Sequence, residues 1–171
     1  MDKMVLRIFQ QEVERQCTFS LIAIQDLDQA LQHNDMDRFW YSVQSFLVAA
    51  GNISKLLWPS KRLLPERAEL RASLSVSDDS PLRPRTFRDC FEHFDVRLET
   101  WATSSKHHGF ADSNFGPTGM IAGPEPEDFL RNFDTTLCAV TFCGDICHLR
   151  PIVDAVRDLS KKASFESKKL P

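Results

Sequence analysis

An apolar repeat with strict spacing constrains this sequence more than any other feature. Between residues 39 and 57, apolar side chains recur at intervals that alternate between four and three residues. This alternation places all of them on one side of an α-helix, as in a coiled-coil seam that packs against a neighbouring helix. The members of the seam are Phe39, Val43, Phe46, Ala50, Ile53 and Leu57.

A second helical pattern precedes this seam and runs from residue 2 to about residue 32. Asn34 and Asp35 then interrupt it with side chains of the type that cap a helix. So short a connection between two amphipathic helices predicts an antiparallel hairpin. The neighbour of the seam stays open between the first helix and another subunit. The stripe of the first helix comprises Leu6, Phe9, Val13, Cys17, Ser20, Ile24, Leu27 and Leu31.

Two further helices are predicted from proline positions. Proline at the first helical position favours a short helix over 65–74, and Pro151 in the first turn favours a last helix over about 149–163. Ile152, Val153, Val156 and Leu159 are its expected buried residues. The predicted fold class is therefore mainly α, an up-and-down bundle of four to five helices with a small C-terminal β-hairpin.

The segment between the bundle and the last helix has a different character. Glycine and proline concentrate at 104–128, which predicts a long loop. Alternating β-branched and aromatic side chains follow, and Gly144-Asp145 is the expected turn of a β-hairpin or three-stranded meander. We expect a single domain, with a helical core at about 1–103 and with the hairpin and last helix at about 129–165.

Composition and charge narrow the environment and the partners. The formal net charge is -3, so a nucleic acid has no global attraction to this chain and needs a local basic patch. Five cysteines are an odd number, and no secretory signal pattern precedes them, which predicts a reduced, cytoplasmic protein. The apolar run at 46–50 is far shorter than the roughly 20 residues that span a bilayer, so no membrane contact is expected.

Common catalytic and metal-binding motifs have little support. The segment 116–123 lacks the Gly-Lys-Ser/Thr of a phosphate loop, and no Gly-x-Ser-x-Gly elbow occurs. The cysteines lack Cys-x-x-Cys spacing, which favours small buried side chains over a zinc site. We therefore expect neither a metal nor a cofactor. The residues considered as zinc ligands are Cys138, Cys143, Cys147, His148, His107 and His108.

A helix predicted over 84–101 carries two patterns. Arg88, Asp89 and His93 form a polar face, on which the aspartate and the histidine lie one turn apart. On spacing alone, a solvated helix face is the more common reading of such a set. The other pattern is an apolar stripe that is expected to face a core, formed by Phe87, Phe91, Phe94, Leu98 and Trp101.

The polar face resembles the signature of a known superfamily. The run Arg88-Asp89-Cys90-Phe91-Glu92-His93 is similar to the Arg-x(4-6)-His motif of HEPN proteins. Its continuation, Phe94-Asp95-Val96-Arg97-Leu98, looks like the His-Phe-Asp-x-Arg-Leu run of an uncharacterised bacterial branch. The resemblance covers about residues 1–101.

This resemblance implies a homodimer in which the motifs of two subunits meet. It also implies a metal-independent endoribonuclease of toxin or defence type, with RNA as substrate and a nucleotidyltransferase-type protein as a partner. In that activity His93 would transfer a proton, Arg88 would stabilise the phosphorane-like transition state, and Asp89 would orient the pair.

The residues are also compatible with a second function, from another class, although they slightly favour the endoribonuclease. In it the protein is a non-catalytic dimeric interaction module or a small-ligand-binding module. Arg88 and His93 then form interface hydrogen bonds and take no part in chemistry.

Overall fold

The structure is a computed structural model that describes residues 1–84, 92–105 and 108–168. These residues are mainly helical, which confirms the predicted class, and a four-stranded sheet accompanies the helices. Contacts divide the chain into two compact units, Met1–Arg85 with Pro151–Pro171 and Thr86–Arg150. The described helices are α1 (Lys3–His33), α2 (Met36–Leu57), α3 (Ala68–Ser73), α4 (Phe94–Ser104) and α5 (Leu149–Ser167).

Side-chain caps define the α1–α2 hairpin. The Asp2 carboxylate accepts hydrogen bonds from the first-turn amides of α1, and the Asp35 carboxylate accepts one from the Arg38 amide at the start of α2. Between the helices, Asn34 adopts a left-handed conformation (φ 56°), which asparagine tolerates well at a helix end. The predicted interruption at 34–35 is confirmed.

The strict seam of α2 forms the centre of the first unit. Its aromatic and branched members are completely buried, and Ala50 is nearly so. The seam packs against α1 of the same chain, which settles the choice of neighbour that the sequence left open. On the facing side of α1, the predicted Val13, Cys17, Ser20 and Leu27 are buried. The predicted Leu6, Phe9, Ile24 and Leu31 are only half-buried, whereas Gln10, Ala23 and Ala30 are buried.

Two shorter elements complete this unit. A 3-10 turn at Pro65–Arg67 leads into α3, where the predicted short helix lies, and Leu70 is its fully buried side chain. Helix α5 continues four residues beyond the predicted end at Ala163. Val153, Val156 and Leu159 are buried as predicted, but Ile152 is only half-buried because it lies at the edge of the buried stripe.

The described part of the predicted apolar stripe over 84–101 differs from the prediction. Residues 85–91, and with them Phe87 and Phe91, lie outside the described residues. In the described part, α4 contains no buried residue, and the Phe94 ring is 54% exposed. The prediction that Phe94 faces a core is therefore wrong, because helical spacing sets a common direction without supplying a surface to cover it.

The predicted hairpin is part of a larger, mixed sheet. Its strands follow the order β1 (Asn114–Phe115), β2 (Asn132–Asp134), β3 (Ala139–Phe142) and β4 (Asp145–His148). Strands β2, β3 and β4 are antiparallel, as a meander requires, while β1 pairs parallel to β2. The long loop of the prediction therefore contributes a strand.

The turn between β3 and β4 is one residue earlier than expected. It is formed by Cys143 and Gly144, both with positive φ (46° and 87°), instead of Gly144-Asp145. Two left-handed residues in succession match the twist of a two-residue hairpin. Asp145 consequently belongs to β4.

The buried carboxylate of Asp128 organises the glycine- and proline-rich segment. Its Oδ1 accepts hydrogen bonds from the Trp101 indole at 3.1 Å and from the Ser105 hydroxyl at 2.9 Å. Its Oδ2 accepts one from the Glu125 amide at 3.0 Å. The carboxylate thus joins the end of α4 to the turn before β2.

Candidate functional site

The structure describes one of the three predicted catalytic residues. Arg88 and Asp89 lie outside the described residues, so the predicted grouping with His93 stays a prediction. His93 is the residue that precedes α4, and its side chain is exposed and does not cap the helix. An exposed imidazole is accessible to a partner or to a substrate.

Arg97, from the continuation of the motif, has a defined ion-pair partner. Its guanidinium donates to the Asp145 carboxylate at 2.6 Å, and both side chains are partly exposed. The Arg97 amide also donates to the His93 carbonyl at 3.3 Å. This pair fixes the first turn of α4 to β4 within the second unit.

The four cysteines that the structure describes belong to no cluster of metal-ligand type. Among the described residues, no three histidine, cysteine, aspartate or glutamate side chains come together in an arrangement that holds a metal ion. His107 lies outside that part of the chain. The described helices also include none with the length and apolarity to cross a bilayer.

The Cys17 thiol lies in the core between α1 and α2. Burial raises the pKa of this thiol to about 12, with the Glu14 carboxylate as a smaller cause. At neutral pH the side chain is therefore an inert thiol, since the thiolate is the reactive form.

This shift predicts a loss of stability in alkali. An unfolded thiol ionises near pH 9 while native Cys17 stays protonated to about 12, so the Cys17 contribution to stability is complete below 9 and is lost as pH rises through that interval. Urea unfolding at pH 7 to 11 measures the free energy of unfolding of the native chain and of the Cys17→Ala variant. The native chain should lose stability more steeply above pH 9 than the variant. Equal slopes would contradict the assignment.

Helix α1 carries a second apolar stripe on the side opposite the core. Its members follow the same alternation of four and three residues as the α2 seam, and we call this set the outer stripe. The apolar members Val5, Ile8, Phe19 and Ile22 are 41–54% exposed. The outer stripe consists of Val5, Ile8, Glu12, Arg15, Phe19 and Ile22.

Two opposite charges occupy the middle of the outer stripe. The Arg15 guanidinium lies 3.4 Å from the Glu12 carboxylate, and their side chains are 64% and 36% exposed. Gln16 also donates to Glu12 at 2.8 Å and accepts a hydrogen bond from Asn52 at 3.3 Å. The Glu12 carboxylate is therefore held in place from α2, with its charge at the surface.

The sequence prediction missed the outer stripe, although its spacing was visible. The core-facing stripe already accounts for the helical period of α1, and the outer stripe is interrupted by charges at its centre. A second pattern of coiled-coil type on one helix is the signal that identifies it.

A groove lies beside the outer stripe. Its volume is about 420 Å³, and its described walls include Gln11, Glu14, Arg15 and Thr18. The Ser167 hydroxyl donates to Glu14 at 2.6 Å and holds the pKa of that carboxyl below its ordinary value. The four named wall residues have polar or charged side chains, so they place hydrogen-bonding groups around the groove.

Comparison with protein-family models, curated proteins and solved structures found no significant match to this chain. The HEPN resemblance accordingly stays a prediction that depends on residues 88–93.

Proposed function

We propose that this protein is a non-catalytic, dimeric interaction module that self-associates through the outer stripe of α1. The observation that supports the proposal is the strict spacing of four half-exposed apolar side chains and two central charges over about five turns of one helix. A helix that buries one apolar stripe in its own core has no need of a second in order to fold. Exposed apolar side chains bordered by charged ones are typical of association sites.

The burial of the α2 seam supports the same assignment. The α2 seam is fully used within the chain, so it is not available for a partner helix. The outer stripe extends along α1 from Val5 to Ile22 for about 26 Å at 1.5 Å per residue. That length corresponds to a coiled-coil contact of more than two heptads.

Charge placed within the outer stripe should break the dimer. Phe19→Glu puts an unpaired carboxylate into the predicted contact, and we expect the dissociation constant to rise at least about 30-fold, the loss typical of a hot-spot residue. Sedimentation equilibrium across micromolar concentrations measures the constant. Tyr41→Glu is the matched control, since Tyr41 is 70% exposed on α2 and lies outside the stripe.

The control should dimerise like the parent chain, and both variants should keep the helical circular dichroism of the parent. A parent chain that is monomeric at these concentrations would overturn the proposed function. Equal weakening by both substitutions would remove the outer stripe as the contact.

We propose metal-independent RNA cleavage as a second candidate function. The observation that favours it is the exposed His93 imidazole at the start of α4, where a substrate phosphate can reach it. Histidine titrates near neutrality, and the guanidinium of Arg88 has donors matched to phosphate oxygens. Asp89 would orient the two.

An RNase assay separates the two functions. If the site is catalytic, the purified chain cleaves single-stranded RNA in the presence of a metal chelator. His93→Ala or Arg88→Ala should then reduce the rate at least about 100-fold without unfolding the protein. The control is His33→Ala, an exposed histidine at the end of α1. No cleavage of varied RNAs by the parent chain would exclude this candidate.

A further inference from the structure

We propose that two copies of α1 pair antiparallel, about a two-fold axis that passes between residues 13 and 14. This inference rests on the proposed function and specifies its partner, a second copy of this chain, and its register. The basis is the order of apolar and charged members along the outer stripe.

The outer stripe is symmetric about its own midpoint. In an antiparallel pair of identical helices, facing residues have numbers with a constant sum. The numbers 5 and 22, 8 and 19, and 12 and 15 all add to 27. Val5 therefore faces the partner's Ile22, and Ile8 faces the partner's Phe19. Every half-exposed apolar member from 5 to 22 meets an apolar member.

The same sum brings opposite charges together. Glu12 of one copy faces the partner's Arg15, and the two-fold axis generates this pair twice. Both side chains are partly exposed and can therefore contact a partner, and a hydrogen bond from Gln16 orients the carboxylate. Charges at the centre of an apolar contact select the register in which they are paired.

A parallel pair has the reverse electrostatics. In that register each residue faces its own copy, so that Glu12 meets Glu12 of the partner subunit and the two arginines at 15 also meet. Both contacts are repulsive at the centre of the contact. The charges thus stabilise one orientation and oppose the other.

Cross-linking distinguishes the orientations directly. Ile8→Cys and Phe19→Cys are prepared as separate chains and treated with a short bis-maleimide, alone and mixed, with linked peptides identified by mass spectrometry. The antiparallel register predicts a link between positions 8 and 19 in the mixture and none between identical positions, which lie about 16 Å apart along the axis. Links between identical positions in each single variant would overturn the register.

Charge reversal provides a second test that needs no cysteine. Glu12→Arg and Arg15→Glu should each weaken self-association at least fivefold, because each homodimer then carries only like charges at its centre. Mixing the two variants should restore a heterodimer of parental affinity, since both facing pairs become opposite. The internal Glu12–Arg15 pair stays broken in both chains, so restoration reports contacts between subunits.

These outcomes separate the inference from the function on which it rests. A monomeric parent chain removes both. The antiparallel register alone is excluded if Phe19→Glu dissociates the parent dimer but the cross-link joins position 8 of one copy to position 8 of the other. The same conclusion follows if mixing the charge-reversal variants restores no affinity. In both cases the proposed function stands.

Discussion

Replacing Phe46 with alanine is expected to lower the free energy of unfolding by about 3–5 kcal/mol, the range for large aromatic truncations in a packed core. Phe46 is completely buried at the centre of the α2 seam. Its removal costs the transfer of the ring from water and leaves a cavity between α1 and α2 that rigid helices fill only in part. Urea denaturation followed by circular dichroism, at one fixed protein concentration, measures the change.

Tyr41→Ala on the same helix is the control for this prediction. Tyr41 is 70% exposed, so its truncation should change stability by no more than about 0.5 kcal/mol. Similar losses for the two variants would show that the α2 seam is not the core of the bundle.

Replacing Asp128 with alanine should destabilise the second unit by about 1.5–3 kcal/mol, the contribution of one full hydrogen bond to a charged group. That bond comes from the Ser105 hydroxyl, whereas the Trp101 indole shares its N–H between Asp128 and the Gly109 carbonyl at 3.0 Å and keeps the second acceptor. Removing the acceptor also leaves the Glu125 amide without this partner. Hydrogen exchange should show the loss in residues 108–148.

The neighbouring Glu127→Ala substitution is the matched control, because Glu127 is exposed in the same turn. It should leave exchange in 108–148 unchanged within error. If Asp128→Ala were equally silent, the carboxylate would not be the organising group of this segment.

The first unit was largely predictable because its order is local. Every member of the α2 seam is apolar, and the two-residue interruption at 34–35 brings the next helix back along it. Helical period, caps and a short connection all favour one arrangement. The spacing of the seam is therefore sufficient to predict which of its residues are buried.

The second unit was harder to predict because its order comes from contacts distant in sequence. The Asp128 carboxylate joins residues 23 and 27 positions away, and no local pattern indicates an acceptor for Trp101. Strand β1 is only two residues long and gains its identity from pairing with β2. The sequence of such a segment predicts a loop, because its structure depends on a partner that is distant in sequence.

The candidate sites show the same division. The motif Arg88–His93 was recognised from residue types, but its geometry depends on residues outside the described ones. The outer stripe was missed because two charges at its centre, Glu12 and Arg15, look like an ordinary solvated face. In an antiparallel pair those charges are the feature that makes the stripe complementary to itself.

A distance across the dimer tests the central claim, antiparallel pairing of α1, most directly. A spin label carried by a non-cysteine residue at the exposed position Gln29 reports the separation of the two copies by pulsed dipolar spectroscopy. An axis between residues 13 and 14 places positions 29 thirty-one residues apart along the pair, or about 46 Å at 1.5 Å per residue. A parallel pair places them about 10 Å apart, the spacing of packed helix axes. A distribution centred near 46 Å is the predicted result; a short distance, or no dipolar coupling at a concentration where a dimer is expected, would contradict it.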